Sequence, residues 1–188
     1  MAGEFRGRQL KSPTWEGLRP TSDRLRETLF NILGESVRGA RVLDGYAGTG
    51  AIGIEALSRG AAHVTFVDND PRAVKLIEQN LDLLGLGRRS SSSVDAASEG
   101  GGHVIIRAGF ADAARQLPGA GFDLLVLDPP YAERAADEAL AAAAPLAGPD
   151  ARIVIEHATR HAPPAAPAGL HLRRTVEAGD SALSFYGC

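Results

Sequence analysis

Apolar positions along this chain alternate between short unbroken runs and stretches of helical spacing. Leu25, Leu29, Phe30, Ile32 and Leu33 recur at helical intervals, with Thr21 or Ser22 placed to cap and Asp23 in the first turn. They predict a helix over roughly 22–36. Arg41 to Asp44 reads as a buried strand, Ala51 to Arg59 as a helix stopped by Gly60, and Val64 to Asp68 as a second strand. Pro71 suits the first turn of the next helix, which carries Val74, Ile77, Leu81 and Leu84 and ends near Gly85. His103 to Arg107 follows as a strand, and Phe122 to Asp128 as one apolar enough to be covered on both faces. A helix over about 134–144, a strand over Arg152 to Glu156, and a hairpin of Leu170–Glu177 and Ala182–Tyr186 around Gly179-Asp180 complete the pattern.

Strands alternating with helices predict an α/β fold with a mostly parallel sheet covered on both faces. The terminal antiparallel hairpin departs from a plain dinucleotide-binding fold. The 188 residues fit a single domain, with residues 1–36 as an N-terminal arm and helix and 37–188 as the Rossmann-like core. Residues 1–20 read as an irregular arm or short hairpin, 88–102 as a low-complexity insertion, and the Pro/Ala-rich 161–169 as a loop.

Charge adds a local feature. The chain carries −3 overall, yet residues 1–26 hold Arg6, Arg8, Lys11, Arg19, Arg24 and Arg26 against Glu4, Glu16 and Asp23. That local basicity points to a phosphate-facing surface. The sole cysteine, Cys188, excludes an internal disulfide and a cysteine-rich metal cage; no metal is expected. The absence of a long apolar run or an N-terminal signal pattern gives a cytoplasmic protein, with no membrane partner, as the expectation.

Gly48-Thr49-Gly50-Ala51-Ile52-Gly53 follows a strand and opens a helix, the setting of a nucleoside-binding turn. Asp68 ends the next strand, where a ribose-binding acid is expected. Asp44 precedes the turn and distinguishes between ligands. A dinucleotide lays its pyrophosphate on such a turn, where a carboxylate repels it. S-adenosylmethionine brings an ammonium and a sulfonium, which a carboxylate attracts. The reading is therefore S-adenosylmethionine, held by Asp44, Tyr46, Ala47, Gly48, Gly50, Asp68 and Asn69, with an NAD(P)-binding oxidoreductase as the alternative.

Asp128-Pro129-Pro130-Tyr131 ends the fourth strand, on the same sheet edge. The prolines stiffen the turn and hold Asp128 extended. An exocyclic amine on a base is a poor nucleophile, because its lone pair is delocalised into the ring. Asp128 and the Pro129 carbonyl can hold its N–H groups, so that the lone pair faces a methyl donor, while Tyr131 stacks on a base turned out of its helix. The loop as a whole, Asp128 to Tyr131, is the candidate catalytic site.

Several segments resemble a known family. They are Gly3 to Arg8, Arg19-Pro20-Thr21-Ser22-Asp23-Arg24, Arg26-Glu27, Leu29 to Leu33, Glu55 to Ala61 and the Asp128 to Tyr131 loop. Together, over about residues 3–86 and 103–132, they are similar to the bacterial 16S rRNA guanine-N2 methyltransferases, the RsmD family. The resemblance implies a seven-stranded class I S-adenosylmethionine-dependent methyltransferase fold and N2 methylation of a guanine in the small ribosomal subunit. It also implies an N-terminal arm facing cofactor or RNA, with Arg6, Arg8, Arg19, Arg24, Arg26 and Tyr131 as RNA contacts, in a protein expected to be a monomer. DNA adenine-N6 and protein amino-group methyltransferases share the Asp-Pro-Pro-Tyr loop and are the alternatives. Gly45 stands where the family carries a bulky apolar residue, so a looser strand end is expected there. Arg107 to Asp112 reads as irregular, with either Phe110 packing on adenine or Asp112 taking its amino group.

Overall fold

The computed structural model describes residues 3–13, 15, 23–86, 102–119, 121–132 and 134–187. Seven strands form one sheet: β1 (Arg41–Gly45), β2 (His63–Asp68), β3 (Gly102–Arg107), β4 (Phe122–Leu127), β5 (Ala147–Ala158), β6 (His171–Ala178) and β7 (Ser181–Gly187). Their order is β3-β2-β1-β4-β5-β7-β6. The first five pair in parallel, and β7 runs antiparallel to both β5 and β6. A dinucleotide-binding sheet keeps its sixth strand parallel beside the fifth. Here the terminal hairpin folds back so that its second strand takes that place.

The helices are α1 (Asp23–Leu33), α2 (Ala51–Ser58), α3 (Pro71–Leu83), α4 (Phe110–Gln116) and α5 (Ala135–Ala143). Strand residues point alternately to opposite faces, and both faces are apolar. Val42, Phe66, Leu124, Val126 and Val154 pack with Leu29 and Phe30 of α1, Ile54 of α2 and Ile77 of α3. Their neighbours Leu43, Val67, Leu125, Leu127 and Ile153 pack with Phe110 of α4 and Leu140 of α5. The unbroken apolar run of β4 thus serves two cores at once.

Some expectations need correction. Residues 110–116 form α4 rather than an irregular segment: Phe110 and Ala113, one turn apart, are buried behind an extended Gly109. Its 7 residues are too few for a period to stand out in the sequence. β5 begins at Ala147, ahead of Arg152, because Ala147 pairs with Phe122 across a register shift despite the turn-like Gly148-Pro149-Asp150. α1 stops at Leu33, and Gly34–Val37 tightens into a 3-10 turn. Gly45 does not loosen its strand. A Cβ there would lie 2.6 Å from Leu127 Cδ2 and 2.8 Å from the Phe110 ring, which already occupy the space. Thr21 and Ser22 as caps, residues 88–101 of the 88–102 insertion, Arg19 and Cys188 lie outside the described residues, while Gly102 already belongs to β3.

The N-terminal arm is fixed to the core. Gly3–Phe5 forms a 3-10 turn, and the Phe5 N–H donates to Ser58 Oγ at the end of α2 (2.8 Å). Further along, Lys11 N–H donates to Asn80 Oδ1 (2.8 Å), and Asn80 Nδ2 donates back to the Lys11 carbonyl (3.3 Å). Asn80 is fully buried on α3. Its Nδ2 also donates to the Thr49 carbonyl (3.0 Å), so one side chain ties the arm to the glycine turn.

Candidate active site

Loops leaving the C-terminal ends of the parallel strands enclose a cleft of about 770 Å³. One wall is the glycine turn. Gly48 and Gly50 adopt φ of 55° and 76°, a conformation side chains disfavour, which is why glycine stands there. Gly53 serves closeness instead: a Cβ would fall 2.3 Å from the Phe66 ring, so its absence lets α2 sit against β2. Tyr46 also takes a positive φ, 64°, and tilts its ring against Phe110 at 5.3 Å between centroids. Backbone strain of this kind concentrates at functional sites.

Asp68 lines the cleft and organises the same wall. Its Oδ2 accepts from Gly48 N–H (2.8 Å) and its Oδ1 from Asp70 N–H (2.9 Å). Each oxygen keeps a further lone pair. Ala47, Gly48, Asn69 and Phe110 also line the cleft. Gly50, with its N–H donated to the Ala47 carbonyl, stands behind that lining.

Asp44 lies elsewhere than the sequence suggested. It is buried, and its Oδ2 accepts from Gly53 N–H at 2.8 Å. Gly53 is the third residue of α2, whose cap position, Gly50, has no side chain to offer. Asp44 therefore caps α2 from the neighbouring strand. Burial pushes its pKa up to about 8, opposed by the Gly53 hydrogen bond and reinforced by Asp128 and Asp68. Near neutrality this carboxyl holds a proton, so the charge argument that set S-adenosylmethionine against NAD loses its force at this residue. Asp44 is absent from the cleft lining and borders a separate void of about 20 Å³, shared with Asp128, Glu156, Leu25 and Leu29.

Asp112 likewise stands away from the cleft. Its side chain is exposed on α4 and paired with Arg115, while Phe110 faces the cleft. Of the two residues weighed for adenine, only Phe110 lines the cleft.

Asp128, Pro129, Pro130 and Tyr131 form the middle of the cleft. Asp128 N–H donates to the Gly45 carbonyl (3.3 Å), which holds the start of the loop against β1. Tyr131 OH donates to Glu156 Oε1 (2.9 Å) and lies 2.8 Å from Ser181 Oγ. Burial, with the charge of Glu156, holds the phenol pKa above its usual range. The phenol thus keeps its proton for Glu156 and accepts from Ser181. The far wall, unforeseen from the sequence, is Glu156 with the hairpin turn Ala178, Gly179, Asp180 and Ser181. One signal was available: Glu156 closes the apolar run of β5 as Asp68 closes that of β2.

Comparison with known proteins defines the lineage. The family model described as Conserved hypothetical protein 95 matches residues 1–187. Ribosomal RNA small subunit methyltransferase D of Escherichia coli K12 is 32% identical over 188 residues, covering 99% of this chain and 87% of that protein. Its namesake from Haemophilus influenzae is 36% identical over 140 residues, covering 74% of this chain and 67% of that one. The chain belongs to the RsmD family. The solved structure of Escherichia coli yhhF superposes with a TM-score of 0.81 at 31% identity, covering 99% of this chain and 94% of that one. The rRNA methyltransferase aviRa of Streptomyces viridochromogenes, at 20% identity and TM-score 0.65 over 92% of this chain and 87% of its own, shares the fold. The fold is that of the class I methyltransferases.

For this RsmD-family chain, the arginines proposed for RNA divide into distinct settings. Arg6, Arg8 and Arg24 are exposed. Arg8 Nη1 donates to the Leu83 carbonyl (3.3 Å), which leans it along α3. Arg26 is not a phosphate contact in waiting: its side chain is only 13% exposed, paired with Asp23 at 2.7 Å and 3.8 Å from buried Glu55. Glu55 also pairs with Arg59 (2.8 Å), whose guanidinium lies 4.9 Å above the Phe30 ring. Arg26 and Glu55 therefore join α1 to α2.

Proposed function

We propose that this chain transfers a methyl group from S-adenosylmethionine to the exocyclic N2 amine of a guanine in small-subunit ribosomal RNA. The observation that carries the reading is the placement of the Asp128–Tyr131 loop between two unlike walls of one cleft. On one side stand a glycine turn, a carboxylate and an aromatic ring; on the other, Glu156 of β5 with Asp180 and Ser181 of the terminal hairpin.

The donor set fits the cofactor. Asp68 suits the ribose hydroxyls, the Tyr46–Thr49 turn lets backbone approach the ligand closely, and the Phe110 ring suits the adenine face. When bound, S-adenosylmethionine supplies an electrophilic methyl carbon on a sulfonium. The chain's own residues handle the amine. The Asp128 carboxylate and Pro129 carbonyl accept its N–H groups, holding the nitrogen and favouring a tetrahedral geometry that frees the lone pair. Tyr131, its hydroxyl anchored on β5 and β7, offers a ring face of fixed orientation for stacking. The Asp128 carboxylate would also stabilise the positive charge that develops on the nitrogen and stand on the path by which its surplus proton leaves for solvent.

Incubation with methyl-labelled S-adenosylmethionine and unmodified small subunits, followed by RNA mass spectrometry, tests the reading. N2-methylguanosine at one position is expected. Label absent from the rRNA, or found on adenine or protein, overturns it.

A further inference from the structure

Glu156 has a setting that anchoring a tyrosine does not account for. It is 8% exposed, yet it lines the cleft beside Asp128 and Tyr131. Its Oε1 accepts from Tyr131 OH. Among the described residues no lysine, arginine or histidine pairs with it. A carboxylate this deep without a cation is costly unless donors face it, and one phenol supplies only one. Tyr131 and Ser181 meanwhile fix where the carboxylate stands: Ser181 hydrogen-bonds the phenol that holds Glu156.

The bases differ in what they would bring to such a group. Guanine carries an N1–H donor next to its N2 amine. Adenine carries a bare N1 acceptor next to its N6 amine. A base whose amine rests on Asp128 and whose ring rests on Tyr131 brings one of the two ring positions flanking that amine to Glu156, on β5 beside β4, and in guanine only the N1 side carries a donor. With guanine, N1–H donates to Glu156. With adenine, a lone pair meets a carboxylate, which repels it.

We infer that Glu156 selects the base, accepting the N1–H of guanine through the oxygen that Tyr131 leaves available and so excluding adenine from a loop able to serve either. This rests on the guanine-N2 reading above. The selection rule follows from buried polar groups: a site built to accept a hydrogen bond rejects a ligand that cannot donate it.

The test uses small subunits reconstituted with rRNA in which the methylated guanine is kept or replaced by 2-aminopurine. That base keeps the N2 amine but presents an acceptor at N1. Wild-type protein is expected to favour guanine by about 10- to 100-fold in kcat/KM. Glu156→Gln keeps an oxygen for Tyr131 and turns an amide donor to the cleft, and it is expected to collapse or reverse that ratio. A ratio is insensitive to how much variant is folded. An unchanged ratio in Glu156→Gln overturns the inference alone, as does a wild-type enzyme that accepts both bases equally. No methylation of guanine by the wild type removes the underlying reading and this inference with it.

Discussion

A carboxyl pushed up to about 8 makes the protein's stability depend on pH in a stated direction. Between the ordinary aspartate range and pH 8, folded Asp44 keeps its proton while the unfolded chain has lost it. The folded state then binds more protons, so stability falls as pH rises across this window, by up to about 1.4 kcal/mol per pH unit. Above the folded pKa both states are ionised and the contribution levels off. Asp44→Asn keeps an oxygen for Gly53 N–H and has no proton to lose. Its melting temperature is expected to fall less between pH 5.5 and 8 than that of the wild type, and parallel curves in scanning calorimetry would count against this role. Asp128 makes the contrasting case. It sits at the cleft rather than beneath it, so Asp128→Ala is expected to lower kcat by about 100-fold or more while S-adenosylmethionine affinity in calorimetry is unchanged. Loss of cofactor binding would instead place Asp128 on the donor's side. The sequence displayed both acids equally well at strand ends. It did not disclose which one faces inward, because that depends on where the bare N–H of Gly53 falls once α2 packs on β2.

Among the elements, the arm and the glycine turn are joined by Asn80. No period or motif marks this residue, since its partners are backbone groups of Lys11, 69 positions away, and of Thr49, 31 away. Local patterns of the chain carry no trace of such pairs. The same holds for Arg26, which looked like one more cation of a basic arm and proved to be bound into the α1–α2 contact through Glu55. By contrast, α3 was legible in its start and its face: Pro71 opens it and the apolar stripe runs its length, although its cap, Asp70, which accepts from Arg72 N–H, had not been singled out. Asn80→Ala would leave the Thr49 carbonyl without its donor in a buried place and release the arm from the core. A loss of about 1–3 kcal/mol in chemical denaturation is expected. Proteolysis of the arm between Phe5 and Trp15 should accelerate alongside. A destabilised core with an arm as protected as before would show that Asn80 supports α3 alone.

At the scale of the molecule, a chain of net charge −3 must attract a polyanion through part of its surface only. Glu156 of β5 and Asp180 of the terminal hairpin put acids on the cleft wall, so affinity for phosphate has to come from elsewhere. The exposed Arg6, Arg8 and Arg24 belong to the basic N-terminal segment, and Phe5 and Lys11 hold the arm to α2 and α3. Each phosphate contact releases condensed counterions, which steepens the dependence of binding on salt by about 0.7–0.9 per contact. Replacing Arg6, Arg8 and Arg24 together by alanine is expected to weaken rRNA binding and to reduce the slope of log affinity against log salt by about 2. The binding of S-adenosylmethionine should stay as it was, because none of the three lines the cleft. Both quantities come from one titration series over a range of salt, with the cofactor measured separately. A slope that matches the wild type would move the RNA surface away from the N-terminal segment, to the other exposed arginines of the chain. Among these, Arg173 and Arg174 on the edge strand β6 are the first to examine, since they border a second hollow of about 390 Å³ at the other end of the sheet.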